Sequence, residues 1–152
     1  MHKITGLESP VRPFPVAIVV SRFNHTVTER LRSGALKHLK QLGFSSEWIT
    51  LVEVPGAVEI PLVVQRLAKK AKHEAIITLG AVIRGETSHY DYVCTQVSQG
   101  CQRVAMQYDL PVIFGVLTTE NRSQLLPAKL RTRAPDAIPV GLGGCWPSAP
   151  LR

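Results

Sequence analysis

The stretch ITLGAVIRGETSHYDYVC, residues 77–94, begins as an apolar run, passes through a polar loop and continues with helical spacing. The apolar run is uncharged and has the length of a buried strand. The side chains that recur every three or four positions, as on the buried face of a helix, are Val93, Val97, Cys101, Val104 and Tyr108. Ser88 and Asp91 lie three residues apart and predict a capping box at the start of this helix. The stretch therefore predicts a strand, a loop at its carboxyl end and a helix.

Similar units lie on both sides of this stretch. The apolar runs of the chain predict four strands, at residues 15–20, 49–54, 75–82 and 112–117. A helix is predicted over residues 26–42, and another begins at or slightly before Pro61 and ends in the basic run 69–72. Nearly continuous apolar character is typical of parallel strands that are covered by helices on both faces. The alternation predicts an α/β fold, a three-layer sandwich around a four-stranded, mostly parallel sheet.

The composition fits a single domain over residues 1–152, with an extended segment at 1–14 and an atypical, Pro/Gly-rich segment at 122–152. Hydrophobic residues make up 45% of the chain and charged residues 19%, which disfavours a disordered polar protein and a highly charged coiled coil. The longest uncharged apolar run, residues 14–20, is far shorter than the roughly 18 residues that a membrane-spanning helix needs. The amino-terminal residues lack the order of a signal peptide, so we expect a cytoplasmic protein.

The balance of charges favours an anionic partner. The chain has 18 lysines and arginines against 11 acidic residues, a net charge of +7. The basic residues are spread over predicted helix faces without interleaved aromatics, so a solvated surface together with a small substrate that carries phosphate explains the charge as well as nucleic acid does. The three cysteines form no CxxC pair and are expected to be reduced structural thiols. No HxH or HExxH spacing occurs, so no metal site is expected.

The carboxyl ends of the predicted strands should form the ligand site, because open parallel sheets bind ligands there. This rule selects four segments, at residues 21–24, 55–59, 84–89 and 118–121. The loop 84–89 leads into a helix, so its backbone N–H groups and the Thr87 and Ser88 hydroxyls, with Arg84 and His89 beside them, predict an anion site. The alternative is an ordinary loop with a capping serine, and the charge of Glu86 also opposes anion binding. No P-loop sequence is present.

Three further residues in these segments are candidates for chemistry. His89 suits proton transfer, because histidine titrates near neutral pH, although a surface histidine in a first helical turn is the alternative. Glu59 follows Gly56, which lets the backbone approach a planar ligand, but a carboxylate there can equally face the helix dipole. Phe23 is a candidate stacking platform, and a core phenylalanine is its alternative.

Four segments together resemble one enzyme family: VVSRFN at 19–24, VPGAVEIP at 54–61, ITLGAVIRGETSHYDYVC at 77–94 and PVIFGVLTTEN at 111–121. The chain resembles the 6,7-dimethyl-8-ribityllumazine synthases of riboflavin biosynthesis. The resemblance implies a flavodoxin-like sandwich, assembled as pentamers, decamers or sixty-subunit shells, and no metal or redox cofactor. It also makes riboflavin synthase a candidate partner, and implies neither nucleic-acid nor membrane binding.

The resemblance also implies a reaction and roles for particular residues. The reaction joins 5-amino-6-(D-ribitylamino)uracil to 3,4-dihydroxy-2-butanone 4-phosphate through an imine, loss of phosphate and ring closure. His89 is implied as the proton-transfer residue. Glu86 and Thr87 are implied as part of the phosphate-binding loop, in which Arg84 is also a candidate phosphate-binding residue. The implied substrate-binding residues are Phe23 for stacking, Ala57, Val58 and Glu59 for the ribityl chain and ring edge, Ala81, Val82 and Ile83 for the ring pocket, and Phe114 from a neighbouring subunit.

The chain departs from the family pattern at two places. Val58 stands where the family usually has phenylalanine, and Ala128 stands where it has a phosphate-binding arginine. Five of the eleven prolines fall within residues 127–152, so we expect no long final helix there. Two alternatives follow: Arg131 or Arg133 replaces the missing arginine, or the protein is a non-catalytic scaffold or flavin-type binder of the same fold.

Overall fold

The computed structural model describes residues 12–125, which form a parallel sheet flanked by helices. In chain order, the elements are β1 (Val16–Ser21), α1 (His25–Gln41), β2 (Ile49–Val54), α2 (Ile60–Lys69), β3 (Ala75–Ile83), α3 (His89–Tyr108) and β4 (Val112–Thr119). Short 3₁₀ helices lie at Ser46–Trp48, Ala57–Glu59 and Arg122–Leu125. Residues 1–11 and 126–152 lie outside the described part. The single domain over the whole chain therefore stays a prediction, as does the extended conformation of residues 1–11. The predictions for the tail, which includes Ala128, Arg131 and Arg133, also lie outside the described residues.

The sheet has the strand order β2-β1-β3-β4, and all three strand pairs are parallel. This is the order with which flavodoxin-like sheets begin. The predicted α/β class, with a three-layer flavodoxin-like sandwich and four strands, is confirmed, and the sheet of the described residues is fully rather than mostly parallel.

Alternate side chains of β1 enter two separate cores, which explains the three layers. Ile18 packs with α1 on one face of the sheet. Val19 packs with α2 and α3 on the other face. Both side chains are completely buried. A strand that is covered on both faces needs apolar residues at every position, and this accounts for the continuous apolar run that the sequence shows.

A close contact between α2 and α3 helps to position one wall of the site. A Cβ atom on Gly100, in the middle of α3, would come within 2.6 Å of the Pro61 side chain at the start of α2. The two helices can therefore approach closely only because residue 100 is glycine. This packing also keeps the turn Ala57–Glu59 in contact with α3.

The predicted capping box at the start of α3 is wrong. Ser88 has helical backbone angles, and its side chain makes no capping hydrogen bond. The N–H of His89 instead donates to Thr87 Oγ1 at 3.4 Å. The Asp91 carboxylate is paired with the Arg84 guanidinium, and such a charge-assisted pair is stronger than a bond to a neutral amide.

None of the helices in the described residues is both long enough and apolar enough to cross a membrane.

Candidate active site

A cavity of about 530 Å³ opens at the carboxyl ends of the strands. Its walls come from the exit of β1, the turn after β2, the end of β3 and the first turns of α3. The lining residues are Phe23, Pro55, Gly56, Ala57, Val58, Glu59, Ala81, Val82, Ile83, Gly85, Thr87, His89, Tyr90 and Val93. The cavity therefore lies at the edge of the sheet where parallel α/β folds bind ligands.

Most of the sequence-predicted site residues meet in this cavity. Nine of the twelve line it: Phe23, Ala57, Val58, Glu59, Ala81, Val82, Ile83, Thr87 and His89. Arg84, Glu86 and Phe114 are not among the lining residues. Sequence reasoning missed Tyr90 and Val93, although Val93 lies one helical turn after His89 and that spacing would have placed it on the same face.

Phe23 forms an exposed edge of the cavity. Its side chain is 70% exposed, so it is not a core residue. Backbone hydrogen bonds fasten this loop to the end of β2: Phe23 N–H donates to the carbonyl of Pro55 at 3.0 Å. The side-chain amide of Asn24 donates to the carbonyl of Ala81 at 2.8 Å, which links the same loop to β3. The aromatic ring is thus carried on a loop that is fixed to both neighbouring strands.

Glu59 stabilises the turn that follows β2. The N–H of Gly56 donates to Glu59 Oε2 at 2.9 Å. This contact satisfies one of the N–H groups that have no partner at a helix start. One carboxylate oxygen of Glu59 therefore has the structural role at the start of the helix that the sequence predicts as the alternative to substrate binding. Glu59 Oε1 has no hydrogen-bond partner among the described residues, and Glu59 is one of the residues that line the cavity.

His89 is the first residue of α3, and Thr87 lies two residues before it. Both residues line the cavity. An imidazole, which can transfer a proton, therefore shares this space with a hydroxyl that lies beside a helix N-terminus. Tyr90 lines the cavity next to them. Burial raises the pKa of the Tyr90 phenol above its ordinary value.

Arg84 is held between two carboxylates outside the cavity. Its Nε donates to Glu120 Oε2 at 2.6 Å. Its Nη1 and Nη2 donate to Asp91 Oδ2 and Oδ1 at 3.1 and 2.8 Å. The guanidinium lowers the pKa of the Asp91 carboxyl, and the two carboxylates raise the pKa of Arg84. Three of the five guanidinium N–H donors therefore serve carboxylates, and direct phosphate binding by Arg84 stays a prediction.

Phe114 lies on the edge strand β4, opposite Thr78 of β3. It is 40% exposed and is not among the residues that line the cavity, so its assignment to a neighbouring subunit stays a prediction.

A second cavity, of about 460 Å³, adjoins the first and shares Phe23 and Ile83 with it. Arg30 and Arg122 contribute positive charge to this neighbouring space. Over residues 12–125, no group of three His, Cys, Asp or Glu side chains is arranged to hold a metal ion.

These features define an α/β protein with a small-molecule site at the carboxyl end of its sheet. Residues 13–137 match the family described as 6,7-dimethyl-8-ribityllumazine synthase. Curated proteins of that name from three strains of Coxiella burnetii are each 59% identical to this chain over 111 residues, which is 73% of this chain and 74% of the relative. The chain belongs to the 6,7-dimethyl-8-ribityllumazine synthase family.

Proposed function

We propose that this protein condenses 5-amino-6-(D-ribitylamino)uracil with 3,4-dihydroxy-2-butanone 4-phosphate to form 6,7-dimethyl-8-ribityllumazine, with release of phosphate. The observation that carries the proposal is the convergence of nine candidate site residues on one cavity in a chain of this family. In the reaction, the uracil amine attacks the ketone and water leaves as the imine forms. Elimination of phosphate and attack of the second nitrogen, with loss of a second water, then close the ring.

We assign the uracil substrate to the apolar part of the cavity. Phe23 stacks on the pyrimidine ring, and Ala81, Val82 and Ile83 line the ring pocket. The ribityl chain and the ring edge of the substrate contact Ala57 and Val58. Glu59 Oε1 accepts a hydrogen bond from this same part of the substrate. The exposure of Phe23 supports this orientation, as does Glu59 Oε1, which has no partner within residues 12–125.

We assign the phosphorylated substrate to the loop before α3. The N-terminus of a helix attracts anions, and the Thr87 hydroxyl and the Gly85 backbone line the cavity beside it. His89 is next to this loop and moves the protons that imine formation and phosphate elimination require. Glu86 belongs to the same loop in the assignment that the family resemblance implies, although it does not line the cavity.

Mixing the purified protein with both substrates tests the proposed activity. We expect the absorbance and fluorescence of the lumazine to appear together with stoichiometric phosphate. Reactions that lack either substrate are the controls and should give no product beyond the slow uncatalysed rate. If the substrates bind but no product forms above that rate, the protein is a binder or scaffold of this fold and the proposed activity is wrong.

We further propose that the site is completed in a homo-oligomer built from pentamers, in which Phe114 closes the cavity of a neighbouring subunit. The exposure of Phe114 on an edge strand, away from its own cavity, supports this proposal. Sedimentation should then show no active species near the monomer mass of 16.7 kDa. Full activity in a monomeric fraction would contradict it.

We also propose that the protein acts in the cytoplasm, with riboflavin synthase as a candidate partner. Within residues 12–125, Cys94 and Cys101 form no disulfide, and this supports the location because a reducing compartment preserves thiols.

A further inference from the structure

We propose that Arg84 is a positioning residue: together with Asp91 and Glu120 it fixes the first turn of α3, and with it His89, to the ends of β3 and β4. The inference rests on the proposed function, because it assigns Arg84 a role in that reaction. It replaces the simpler idea that the arginine contacts phosphate directly.

The three residues of this ion cluster come from three different elements. Arg84 directly follows β3, Asp91 lies in the first turn of α3, and Glu120 directly follows β4. The backbone N–H of Arg84 also donates to the carbonyl of Thr119 at 2.9 Å, so both the main chain and the side chain of Arg84 are attached to the end of β4. The cluster therefore connects the helix that carries His89 to the two strands beside the cavity.

The geometry of the cluster favours a single arrangement. Asp91 binds two guanidinium nitrogens with both carboxylate oxygens, and such a two-point contact fixes orientation as well as distance. An isolated surface ion pair contributes little to folding, but charges that form a network hold geometry more effectively. The Arg84 side chain is only 34% exposed, which also limits its motion.

Arg84 also contacts the cavity wall indirectly, through Tyr90. Its guanidinium carbon lies 4.2 Å from the centre of the Tyr90 ring. Tyr90 lines the cavity and directly follows His89 in the chain. Contacts on Tyr90 and Asp91 thus restrain the helical turn that His89 begins. A displacement of about 1 Å in a reacting group costs about 100-fold in rate, so this restraint should affect catalysis.

A positioning role and direct phosphate binding by Arg84 predict different effects when one of the surrounding carboxylates is neutralised. One positive guanidinium faces two carboxylates, so the cluster has no surplus positive charge to attract an anion. If Arg84 bound phosphate, neutralising Glu120 would free its charge and strengthen binding of the phosphorylated substrate. If Arg84 positions the helix, neutralising Glu120 removes one of its anchors and impairs the enzyme.

Steady-state kinetics of Arg84→Gln, Glu120→Gln and the double variant test this difference. We expect each single variant to lower kcat about 10- to 100-fold, with a smaller change in the KM of either substrate. The double variant should be no worse than Arg84→Gln, because both changes disrupt the same cluster. Arg84→Lys keeps the positive charge but loses the planar guanidinium that binds a carboxylate through two nitrogens. This variant should therefore recover only part of kcat.

Arg32 provides a matched control in the same chain. It also binds two carboxylates, Glu29 at 2.7 Å and Glu53 at 2.8 Å, and its side chain is 29% exposed. It does not line either of the two cavities, so Arg32→Gln should leave kcat unchanged. A similar loss of kcat in this variant would show a general effect of lost ion pairs and would overturn the inference.

Amide hydrogen exchange provides a readout that does not depend on activity. In Arg84→Gln and Glu120→Gln, the amides in the first two turns of α3 should exchange faster, while those of α1 remain unchanged. Faster exchange in a protein that makes no lumazine would refute the proposed function but support the restraint on α3. Unchanged exchange, or a rise only in the KM of the phosphorylated substrate in Arg84→Gln, would overturn the positioning role.

Discussion

Replacement of His89 by alanine should lower turnover by about 10²- to 10⁴-fold and leave the subunits assembled. His89 lines the cavity beside the helix start to which we assign the phosphate, and histidine is the residue that most often serves as general acid or base in enzymes. Alanine at the first position of a helix introduces no strain and leaves the N–H of residue 89 available to Thr87 Oγ1. The expected loss is therefore one of kcat. Stopped-time assays of lumazine formation measure turnover, and sedimentation measures the assembly of the subunits.

His73→Ala is the control for the general loss of a histidine. His73 is hydrogen-bonded to Thr50 near the amino end of β2, outside both cavities. This variant should keep turnover close to that of the unmodified protein. Added imidazole should restore part of the activity of His89→Ala and none in the control. If His89→Ala turns over normally, His89 is a surface residue of the first helical turn and the proton-transfer assignment fails.

The sequence predicts the central fold well because each local pattern agrees with the tertiary structure. The continuous apolar run at β1 reflects burial on both faces, and the three- and four-residue spacing of α3 reflects its single buried face. The carboxyl ends of β3 and β4 were less predictable. Thr118 and Thr119 have the polar character of a loop, but they extend β4 because they pair with Val82 and Ile83 of β3. Such pairing depends on a strand about 36 positions away and leaves no local pattern.

The site shows the same division between local and long-range information. Short motifs were enough to select Phe23, Thr87 and His89, because each follows or precedes a recognisable element. The interpretation of Asp91 failed because its spacing from Ser88 matches a capping box, whereas its carboxylate binds an arginine seven positions earlier in the chain. The partner on the other side, Glu120, is 36 positions from Arg84. Only the fold brings these charges together.

A graft of a typical family carboxyl terminus, in place of everything after Asn121, should raise kcat/KM for the phosphorylated substrate by about 10-fold or more. The reason is the phosphate-binding arginine that the family resemblance implies at the position where this chain has Ala128. A charge-assisted hydrogen bond to an anion contributes about 1.5–3 kcal/mol, which corresponds to roughly 10- to 150-fold in binding. Kinetics with each substrate varied in turn, together with sedimentation, measure activity and subunit assembly.

The same graft with its arginine changed to alanine separates charge from packing. If the arginine supplies the gain, this second graft should behave like the native protein towards the phosphorylated substrate and assemble like the first graft. If both grafts improve activity equally, the benefit comes from subunit packing and the role of the missing arginine is refuted. If neither graft changes activity or assembly, the native tail already serves as a substitute. In that case Arg131→Ala and Arg133→Ala should show which of these two arginines replaces the phosphate-binding arginine that the family resemblance implies.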